Sequence, residues 1–584
     1  MILHDAELIE RYTREGWWGQ VTVDDLFTEC VRDYPDKVAL VDAPNRETFA
    51  FGQPQSLSFA QTDAAVMRLA AILYQAGVRK DSIVLVQLPN LVEIVIDFLA
   101  CARLGAIVSP AMMAYGERDL TRIVAHIRPR CILGLELFKG GSPGQLLRDI
   151  VARDADYPCT VFSLGNGDAP GEFNLFARPG ETELGPLRDY LQTIEIDANE
   201  ILTLHWTSGT TGDPKCVPRS HNNWHATGNC CVDAGGLQHG DSILAPMQMV
   251  HTAGYSGMVM PWLELQGMLV LHQPFDMQVF LQQIQDLRIN HTVTAPAMLN
   301  ALLRDDVLDQ YDVSGIRSIL CGSAPLDAWM IADFKKRYGI EIINAFGSTE
   351  GLTMLSSPSI TTDPQRRARY FPRFNGSANR SVTGVPWGVR IAAAIECKLL
   401  DLETGEEVIE PDVPAEFACR SPAFFPGYWT ADGGLDREDF DADGFFRPGE
   451  IFEIAGEGEE SDYYHYIDRL KDVINRGGVK IPVGELEAAI QNLSQISEAA
   501  AIGYPDDRLG EIICAVVALR PGAGLSLDEL KEALVAEGLA KYMLPERLEV
   551  LTALPRNPTG KVLKRQLSQQ LAGQASLQRG IDRH

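Results

Sequence analysis

Between Leu202 and Lys215 an apolar run breaks off into a loop of hydroxyls and glycines, and no other feature narrows the possible folds so far. The segment reads Leu202-Thr203-Leu204-His205-Trp206-Thr207-Ser208-Gly209-Thr210-Thr211-Gly212-Asp213-Pro214-Lys215. A buried strand that ends this way belongs at the carboxyl edge of an open sheet, where ligands collect in α/β folds. Thr207, Ser208, Thr210, Thr211, Gly209, Gly212 and Lys215 supply flexible backbone and convergent N–H, O–H and ammonium donors. A polyphosphate needs that set and a hydrophobic core does not. A plain polar loop at a strand end has a similar composition. The spacing is not that of the common P-loop, because Lys215 falls three residues after Gly212 and is followed by Cys216.

The same alternation of strand and helix runs through the chain. Ser82 to Val86, Ala106 to Ser109 and Cys131 to Gly134 are short apolar runs with the character of buried strands. Ser58-Phe59-Ala60-Gln61 has the form of a capping box opening a helix whose Ala65, Leu69, Leu73 and Ala76 share one face. Strands predicted at Arg317 to Cys321 and Glu341 to Ala345 also end in small or polar residues, so three loops can line one site. Between Gly140 and Asp197 the pattern weakens, and a surface elaboration is expected there. After about Tyr463 the composition changes to helix (Gly484 to Leu493), strand (Ala499 to Gly503), strand (Ile512 to Leu519) and a helix opened by Ser526-Leu527-Asp528-Glu529. The expected fold class is α/β, with a large multi-layer N-terminal domain of mixed sheets over 1–470 and a small α+β C-terminal domain over 471–584. Asp468-Arg469-Leu470-Lys471-Asp472 sits at the junction as a hinge candidate, although a charged surface turn reads alike.

Bulk properties exclude several classes. A chain of 584 residues with 46% hydrophobic content exceeds what one core serves. Its formal charge of -28 opposes nucleic acid as a partner. The acidic start Met1 to Glu7 lacks the pattern of a secretory signal, so a cytoplasmic location is expected. Pro89, Asn90, Glu93, Asp97 and Arg103 interrupt the apolar stretch from Ile83 to Ala114, which argues against a membrane span. The 11 cysteines form no C-x-x-C and are expected as free thiols, Cys230-Cys231 included. Nothing has the spacing of a zinc site.

Three further segments follow Thr207 to Lys215 in order: Asn344-Ala345-Phe346-Gly347-Ser348-Thr349-Glu350-Gly351, Asp468 to Glu487, and Leu554-Pro555-Arg556-Asn557-Pro558-Thr559-Gly560-Lys561. Together they resemble the adenylate-forming superfamily of acyl-CoA synthetases, nonribosomal adenylation domains and luciferases, over nearly the whole chain. The resemblance implies ATP and Mg²⁺ as cofactors and a reaction in which a carboxylate meets the α-phosphate. Two anions must then approach, so neutralisation and positioning carry the catalysis.

By this resemblance Thr207, Ser208, Gly209, Thr210, Thr211, Gly212 and Lys215 hold the β- and γ-phosphates. Thr349 touches the α-phosphate, and Glu350 holds Mg²⁺, a hard cation suited to oxygen. Gly347, Ser348 and Gly351 flank them and allow close approach of the backbone. Gly322-Ser323-Ala324-Pro325 matches the turn against which adenine lies. Arg469 matches a ribose-contacting arginine. Its partner in relatives is the aspartate of a Thr-Gly-Asp triplet, replaced here by Pro448-Gly449-Glu450, and Glu450 is expected to keep that role. Lys561 matches the lysine that bridges carboxylate and α-phosphate, Lys471 the hinge of a mobile small domain, and Gly477-Gly478 the face offered to an incoming pantetheine thiol.

Within the superfamily the similarity is to free-standing aryl-acid-AMP ligases such as 2,3-dihydroxybenzoate-AMP ligase, through Glu10 to Trp18, Pro218-Arg219-Ser220-His221-Asn222 and Ile474 to Ile481. The pocket segment departs from that type. His251 matches, but Thr252 stands where those enzymes have a hydroxyl-binding asparagine, and two extra residues precede it. His251, Thr252, Gly254, Tyr255 and Ser256 are the expected acid pocket, with Gly322 and Gly347 on another wall; core packing is the other reading of Tyr255. The acceptor is CoA or a carrier-protein phosphopantetheine. Gln365 to Arg373 concentrates arginines for CoA phosphates, an acidic carrier or a second substrate carboxylate, or is a solvated loop. Luciferase-like oxygenation and a non-catalytic binding homologue are the alternatives.

Overall fold

The computed structural model describes residues 1–165, 171–176, 184–207, 214–304, 306–373, 395–477, 479–506, 508–556 and 562–571. The chain divides into two compact units: one from the described residues of 1–207, 215–396 and 420–438, the other from those of 397–419 and 439–571.

Among the described residues of the first unit, nine strands form one sheet, in the order Leu435–Asp436, Tyr428–Trp429, Cys216–Ser220, Ile201–Trp206, Ile107–Pro110, Ile83–Val86, Cys131–Leu135, Thr160–Leu164 and Glu172–Phe173. Pairing is parallel from Ile201–Trp206 onward to Glu172–Phe173 and antiparallel on the other side. A second sheet of eight described strands runs Thr353–Ser356, Glu341–Gly347, Ser318–Gly322, His291–Thr294, Ser242–Ala245, Met268–Leu271, Val38–Val41 and Ser56–Ser58. Its interior is parallel and its two outermost pairings are antiparallel. The predicted strands therefore exist, but the loop after Trp206 leaves a different sheet from those after Gly322 and Gly347.

The stretch from Ile83 to Ala114 is a strand–helix–strand unit whose helix, Val92–Leu104, is buried along its whole length. A parallel sheet needs both faces covered, which explains the near-continuous apolar run. Gly105, at φ 65° in the left-handed region, ends the helix where a side chain would be strained. Both predicted capping boxes, Ser58/Gln61 and Ser526/Glu529, form. The region from 140 to 197, where a surface elaboration is expected, carries regular structure at the end of the nine-stranded sheet. It supplies the helices Pro143–Val151 and Gly185–Leu191, and its two strands extend the nine-stranded sheet. Thr160–Leu164 is only half buried, so its apolar pattern is weak.

Among the described residues of the second unit, Tyr463–Arg469, Glu450–Ile454, Ala415–Arg420 and Glu396–Leu400 lie in that order in one sheet. Another contains Val479–Ile481, Ile474–Arg476, Gly510–Leu519 and Ile496–Asp506, with Arg547–Leu551 parallel to Gly510–Leu519. The strand Gly510–Leu519 alternates cleanly. Ile513, Ala515 and Val517 pack with Leu486, Leu530 and Leu534, while Cys514 and Val516 pack with Leu554, Leu567 and Leu571 on the opposite face.

The cysteines are unbridged. No described helix is long and apolar enough to cross a membrane.

Three charged residues of the buried helix Val92–Leu104 are treated in two ways. Glu93 takes both arms of buried Arg46 at 2.5 and 3.0 Å, with Asp42 completing the group at 2.6 Å. Asp42 also accepts the Val92 N–H at 2.9 Å, capping the helix start. Arg103 is shared by Asp24 and Asp63. Asp97 instead has no hydrogen-bond partner at either oxygen. Burial pushes its carboxyl up to about 8. The folded chain thus holds a proton that the unfolded chain releases near the ordinary value of about 4, and stability falls as pH rises between these limits. Asp97→Asn cannot ionise and is expected to lose that slope. The stability gap between variant and wild type should widen in the variant's favour from about pH 6 to about pH 8, by at most about 1.4 kcal/mol per unit. Thermal melts across pH check this, and a gap that stays constant contradicts it.

Candidate active site

The stems of the glycine- and hydroxyl-rich loop are fixed by two hydrogen bonds. Thr207 N–H donates to the Lys215 carbonyl at 2.9 Å, and Lys215 N–H returns to Thr207 Oγ1 at 3.0 Å. Ser208, Gly209, Thr210, Thr211 and Gly212 lie outside the described residues. Strand pairing of Trp429 with Cys216 brings Tyr428 beside the second stem. The Lys215 ammonium lies 4.2 Å from the centre of the Tyr428 ring, and the Tyr428 hydroxyl donates to Glu350 Oε1 at 2.8 Å. Lys215, Tyr428 and Glu350 therefore form one line of contact, with the cation on a ring face that attracts it.

Glu350 sits in the turn after Glu341–Gly347. Gly351 adopts φ 121°, and a Cβ there would lie 2.1 Å from the Ala423 carbonyl oxygen, so only glycine fits. Ser348 N–H donates to Leu352 O at 3.0 Å, while its Oγ is buried without a partner. The Thr349 carbonyl accepts from Arg219 Nη1 at 3.2 Å. Arg219, on the strand Cys216–Ser220 of the other sheet, is fully buried. It also donates to Asn223 O at 3.1 Å and to Thr227 Oγ1, and lies 4.4 Å from the Trp224 ring centre. Burial pulls its guanidinium below the usual arginine range, and Glu350 works in the opposite direction. A buried cation thus links the strand Cys216–Ser220 to the turn of Thr349 and Glu350.

Gly322 ends the neighbouring strand, where a Cβ would come within 2.3 Å of the Ala345 carbonyl oxygen. Ser323 follows at φ 73°, and Ser323, Ala324 and Pro325 are exposed. The result is a small-residue shelf at the carboxyl edge of the sheet, next to Gly347.

The segment expected to form the acid pocket follows the strand Ser242–Ala245. His251 precedes a short turn, Thr252–Gly254, which runs into a π-helical turn, Tyr255–Val259. Thr252 Oγ1 is buried without a partner, and Ser256 Oγ donates to Thr252 O at 2.8 Å. A Cβ on Gly254 would approach Met249 Cα to 2.7 Å. Tyr255 is a core residue: its ring lies 4.7 Å from Phe98, 5.0 Å from His205 and 5.3 Å from Trp224. The longer entry to this segment is held by Asn90, which donates to Ala245 O at 3.0 Å and Met247 O at 2.7 Å and accepts from Met249 N–H at 2.8 Å.

In the second unit Glu450 and Arg469 stand directly opposite on paired strands. Arg469 Nε lies 3.3 Å from Glu450 Oε1, and the Tyr466 hydroxyl donates to Glu450 Oε2 at 3.2 Å. Lys471 occupies an exposed 3₁₀ turn, Leu470–Asp472. Gly477, at φ 61°, donates its N–H to Leu509 O at 2.7 Å. Gly478 and Lys561 lie outside the described residues.

The arginine-rich segment is partly structural. Arg367 is buried and donates to Glu341 at 2.9 Å and to the Thr361, Ile342 and Thr362 carbonyls.

A family profile described as AMP-binding enzyme matches residues 27–429, and its C-terminal domain profile matches 485–561. The chain belongs to the AMP-binding enzyme family. This AMP-binding enzyme is 28% identical over 523 residues to a long-chain-fatty-acid–CoA ligase of Mycobacterium tuberculosis, covering 88% of this chain and 93% of that one. It is 27% identical over 566 residues to the 2-hydroxy-7-methoxy-5-methyl-1-naphthoate–CoA ligase of Streptomyces carzinostaticus, covering 96% and 95%. Its fold matches ATP-bound MatB from Rhodopseudomonas palustris at a TM-score of 0.75 and 23% identity, covering 94% and 99%. The α/β class, with a large part of mixed sheets and a smaller C-terminal part, is that of adenylate-forming enzymes.

The family uses ATP with Mg²⁺, and the residues fit that pair. Gly322 and Gly351 keep side chains out of the two turns, and Ser348 Oγ is a buried hydroxyl that awaits a partner. Glu350 offers the single carboxylate with which Mg²⁺ is commonly held alongside phosphate oxygens.

Arg219 was visible in sequence only as part of a motif, and Tyr428 and Asn90 were not singled out as functional. The aromatic run around Gly427 is the trace Tyr428 leaves, since Gly427 takes φ 139° to turn the chain into that strand. Tyr428→Phe removes the hydrogen bond to Glu350 but keeps the ring under Lys215. It is expected to weaken ATP–pyrophosphate exchange about tenfold, the scale of a hydrogen bond to a charged group. Tyr428→Leu, which also removes the ring, should cost more, and equal effects of the two variants would refute the separate contribution of the ring.

Proposed function

We propose that this chain is an ATP-dependent carboxylic acid–thiol ligase that makes an acyl-adenylate, releases pyrophosphate and passes the acyl group to a thiol. The observation that carries the reading is the contact line Lys215–Tyr428–Glu350, joined by Arg219 at the Thr349 carbonyl. It gathers two cations and a carboxylate where the phosphate loop and the Thr349 turn meet.

In this reading Thr207 to Lys215 grips the β- and γ-phosphates, and Lys215 follows the charge of the departing pyrophosphate. Thr349 contacts the α-phosphate and the Gly322 to Pro325 shelf receives adenine, with Gly347 and Ser348 at its edge. Glu450 and Arg469 hold the ribose hydroxyls. Glu350 would hold Mg²⁺, which when bound neutralises phosphate charge. Lys561 brings a compact ammonium to the carboxylate and α-phosphate oxygens. The part from Lys471 onward is the mobile domain, and the face at Gly477 and Gly478 receives the thiol.

The acid pocket comprises His251, Thr252, Gly254 and Ser256, with Tyr255, the fifth residue expected there, packed in the core behind them. A compact, aromatic or cyclic acid is favoured because Tyr255 is packed among Phe98, His205 and Trp224, which fills the interior beside this segment. CoA is the preferred acceptor, since the relatives above are named as CoA ligases; a carrier-protein phosphopantetheine offers the same thiol chemistry.

Acid-dependent ATP–pyrophosphate exchange with aromatic, alicyclic, fatty and dicarboxylic acids, followed by thioester detection with CoA and with a carrier protein, tests the reading. Exchange with a compact acid and thioester on CoA is the expected result. No exchange with any acid would favour a binding homologue. Lys561→Ala should abolish exchange yet retain thioester formation from supplied acyl-adenylate, and loss of both would sink the two-conformation scheme. Glu450→Ala should raise the KM for ATP by about tenfold, as expected for losing an acceptor at a charged hydrogen bond; an unchanged KM would remove Glu450 from the ribose site.

A further inference from the structure

The motif that ends at Lys561 continues as Val562-Leu563-Lys564, and Lys564 has contacts that no motif announced. Its ammonium lies 2.8 Å from Glu487 Oε1 and 3.8 Å from Asp472 Oδ2. All three side chains are largely withdrawn from solvent, at 19%, 24% and 20% exposure for Lys564, Glu487 and Asp472. Glu487 lies on the helix Gly484–Gln491, and its Oε1 also accepts the Ala501 N–H at 2.6 Å. Asp472 closes the turn that carries Lys471. Burial opposes the charge on Lys564, but the carboxylates of Glu487, Asp472 and Asp468 outweigh it and raise the lysine above its usual range. The ammonium is therefore kept charged by acids from three elements.

These contacts flank residues 557–561. Arg556 and Val562 form an antiparallel bridge, and Leu563 N–H donates to Pro555 O at 2.8 Å. On the upstream side Arg556 pairs with Glu498 at 2.7 Å. On the downstream side Lys564 pairs with Glu487 and Asp472. The chain is thus pinned by an ion pair on each side of residues 557–561. A long lysine side chain that must meet two reacting oxygens gains most from a stem that does not wander, because a misplacement of about 1 Å can cost on the order of 10²-fold in rate.

We propose that Lys564 is a positioning residue for adenylation: its ion pairs with Glu487 and Asp472 fix the chain that follows Lys561 and tie it to the turn of Lys471. This rests on the reading of Lys561 given above. Thioester formation, which in that reading proceeds without Lys561, does not depend on Lys564.

The test uses the full chain, with benzoate or whichever acid of the panel exchanges fastest. Lys564→Met keeps the aliphatic stem and removes the charge. Lys564→Arg restores a cation, and Lys564→Met with Glu487→Gln removes the carboxylate left unpaired. Lys564→Met is expected to lower the kcat of pyrophosphate exchange by between about tenfold and about 10²-fold, with KM values for ATP and acid within about twofold. Thioester formation from supplied acyl-adenylate should stay within about threefold, and Lys564→Arg should recover most of the exchange. Loss of both half-reactions, in the single and the double variant alike, overturns the proposal, as does unchanged exchange. Lys561→Ala is run alongside. If it stops exchange while Lys564→Met does not, only the positioning role falls; if Lys561→Ala exchanges at the wild-type rate, the reading of Lys561 falls and the proposal with it.

Discussion

Arg219 is a cation without water, and the first unit depends on how it is accommodated. A guanidinium taken out of water is tolerated only if its donors are met and a counter-charge is near. Here the two terminal nitrogens donate to the Thr349 and Asn223 carbonyls and to Thr227 Oγ1, Nε is left without a partner, the Trp224 ring covers one side, and Glu350 supplies the favourable charge. These groups come from the strand Cys216–Ser220, the helix His221–Ala234 and the turn after Glu341–Gly347. One side chain therefore fixes the register between the two large sheets at the point where their loops meet. Its cost of burial is offset only when that meeting is made, so the interaction specifies geometry more than it adds stability.

The same economy recurs in the helix Val92–Leu104. Its buried Glu93 and Arg103 each meet an opposite charge, and Asp97 does not. A protonated Asp97 is the state that burial allows, because an ionised carboxylate there has no donor to receive it. Burial also pushes the phenol of the nearby core residue Tyr255 up, and Asp97 acts on it in the same direction.

Legibility in the sequence followed the range of the interaction. The strands Ile83–Val86, Ile107–Pro110 and Cys131–Leu135 and the capping box at Ser58 are local patterns and were read within a residue or two. The strands within 140–197 leave a weak signal because Thr160–Leu164, next to the sheet edge, is half exposed and Glu172–Phe173, at the edge, is only two residues long. In the site, Gly322 and Gly351 announce themselves, since close backbone approach leaves no other choice. Tyr428 reaches Glu350 across 78 residues and Asn90 reaches Met249 across 159, and neither pairing leaves a periodic trace. The opposition of Glu450 and Arg469 was legible only through resemblance, because cross-strand register is not written in either strand alone.

The proposed rotation at Lys471 has an energetic counterpart in Asp468. Its Oδ2 accepts the N–H groups of Val483 and Gly484, the latter at 3.1 Å, at the start of the helix Gly484–Gln491, and its Oδ1 accepts that of Arg469 at 2.7 Å. Asp468 precedes Lys471 and the helix follows it, so a rotation at Lys471 of the kind proposed would break the bonds to Val483 and Gly484. Hydrogen bonds to a charged acceptor contribute about 1.5–3 kcal/mol each, and a carboxylate at a helix start gains further from the helix dipole. An arrangement held by two of them persists until a ligand binds the alternative more tightly by a comparable amount. The acyl-adenylate and the incoming thiol are the species whose contacts change between the two half-reactions. Under that proposal the strength of Asp468's hold on the helix sets how much differential binding they would have to supply for the rotation to occur.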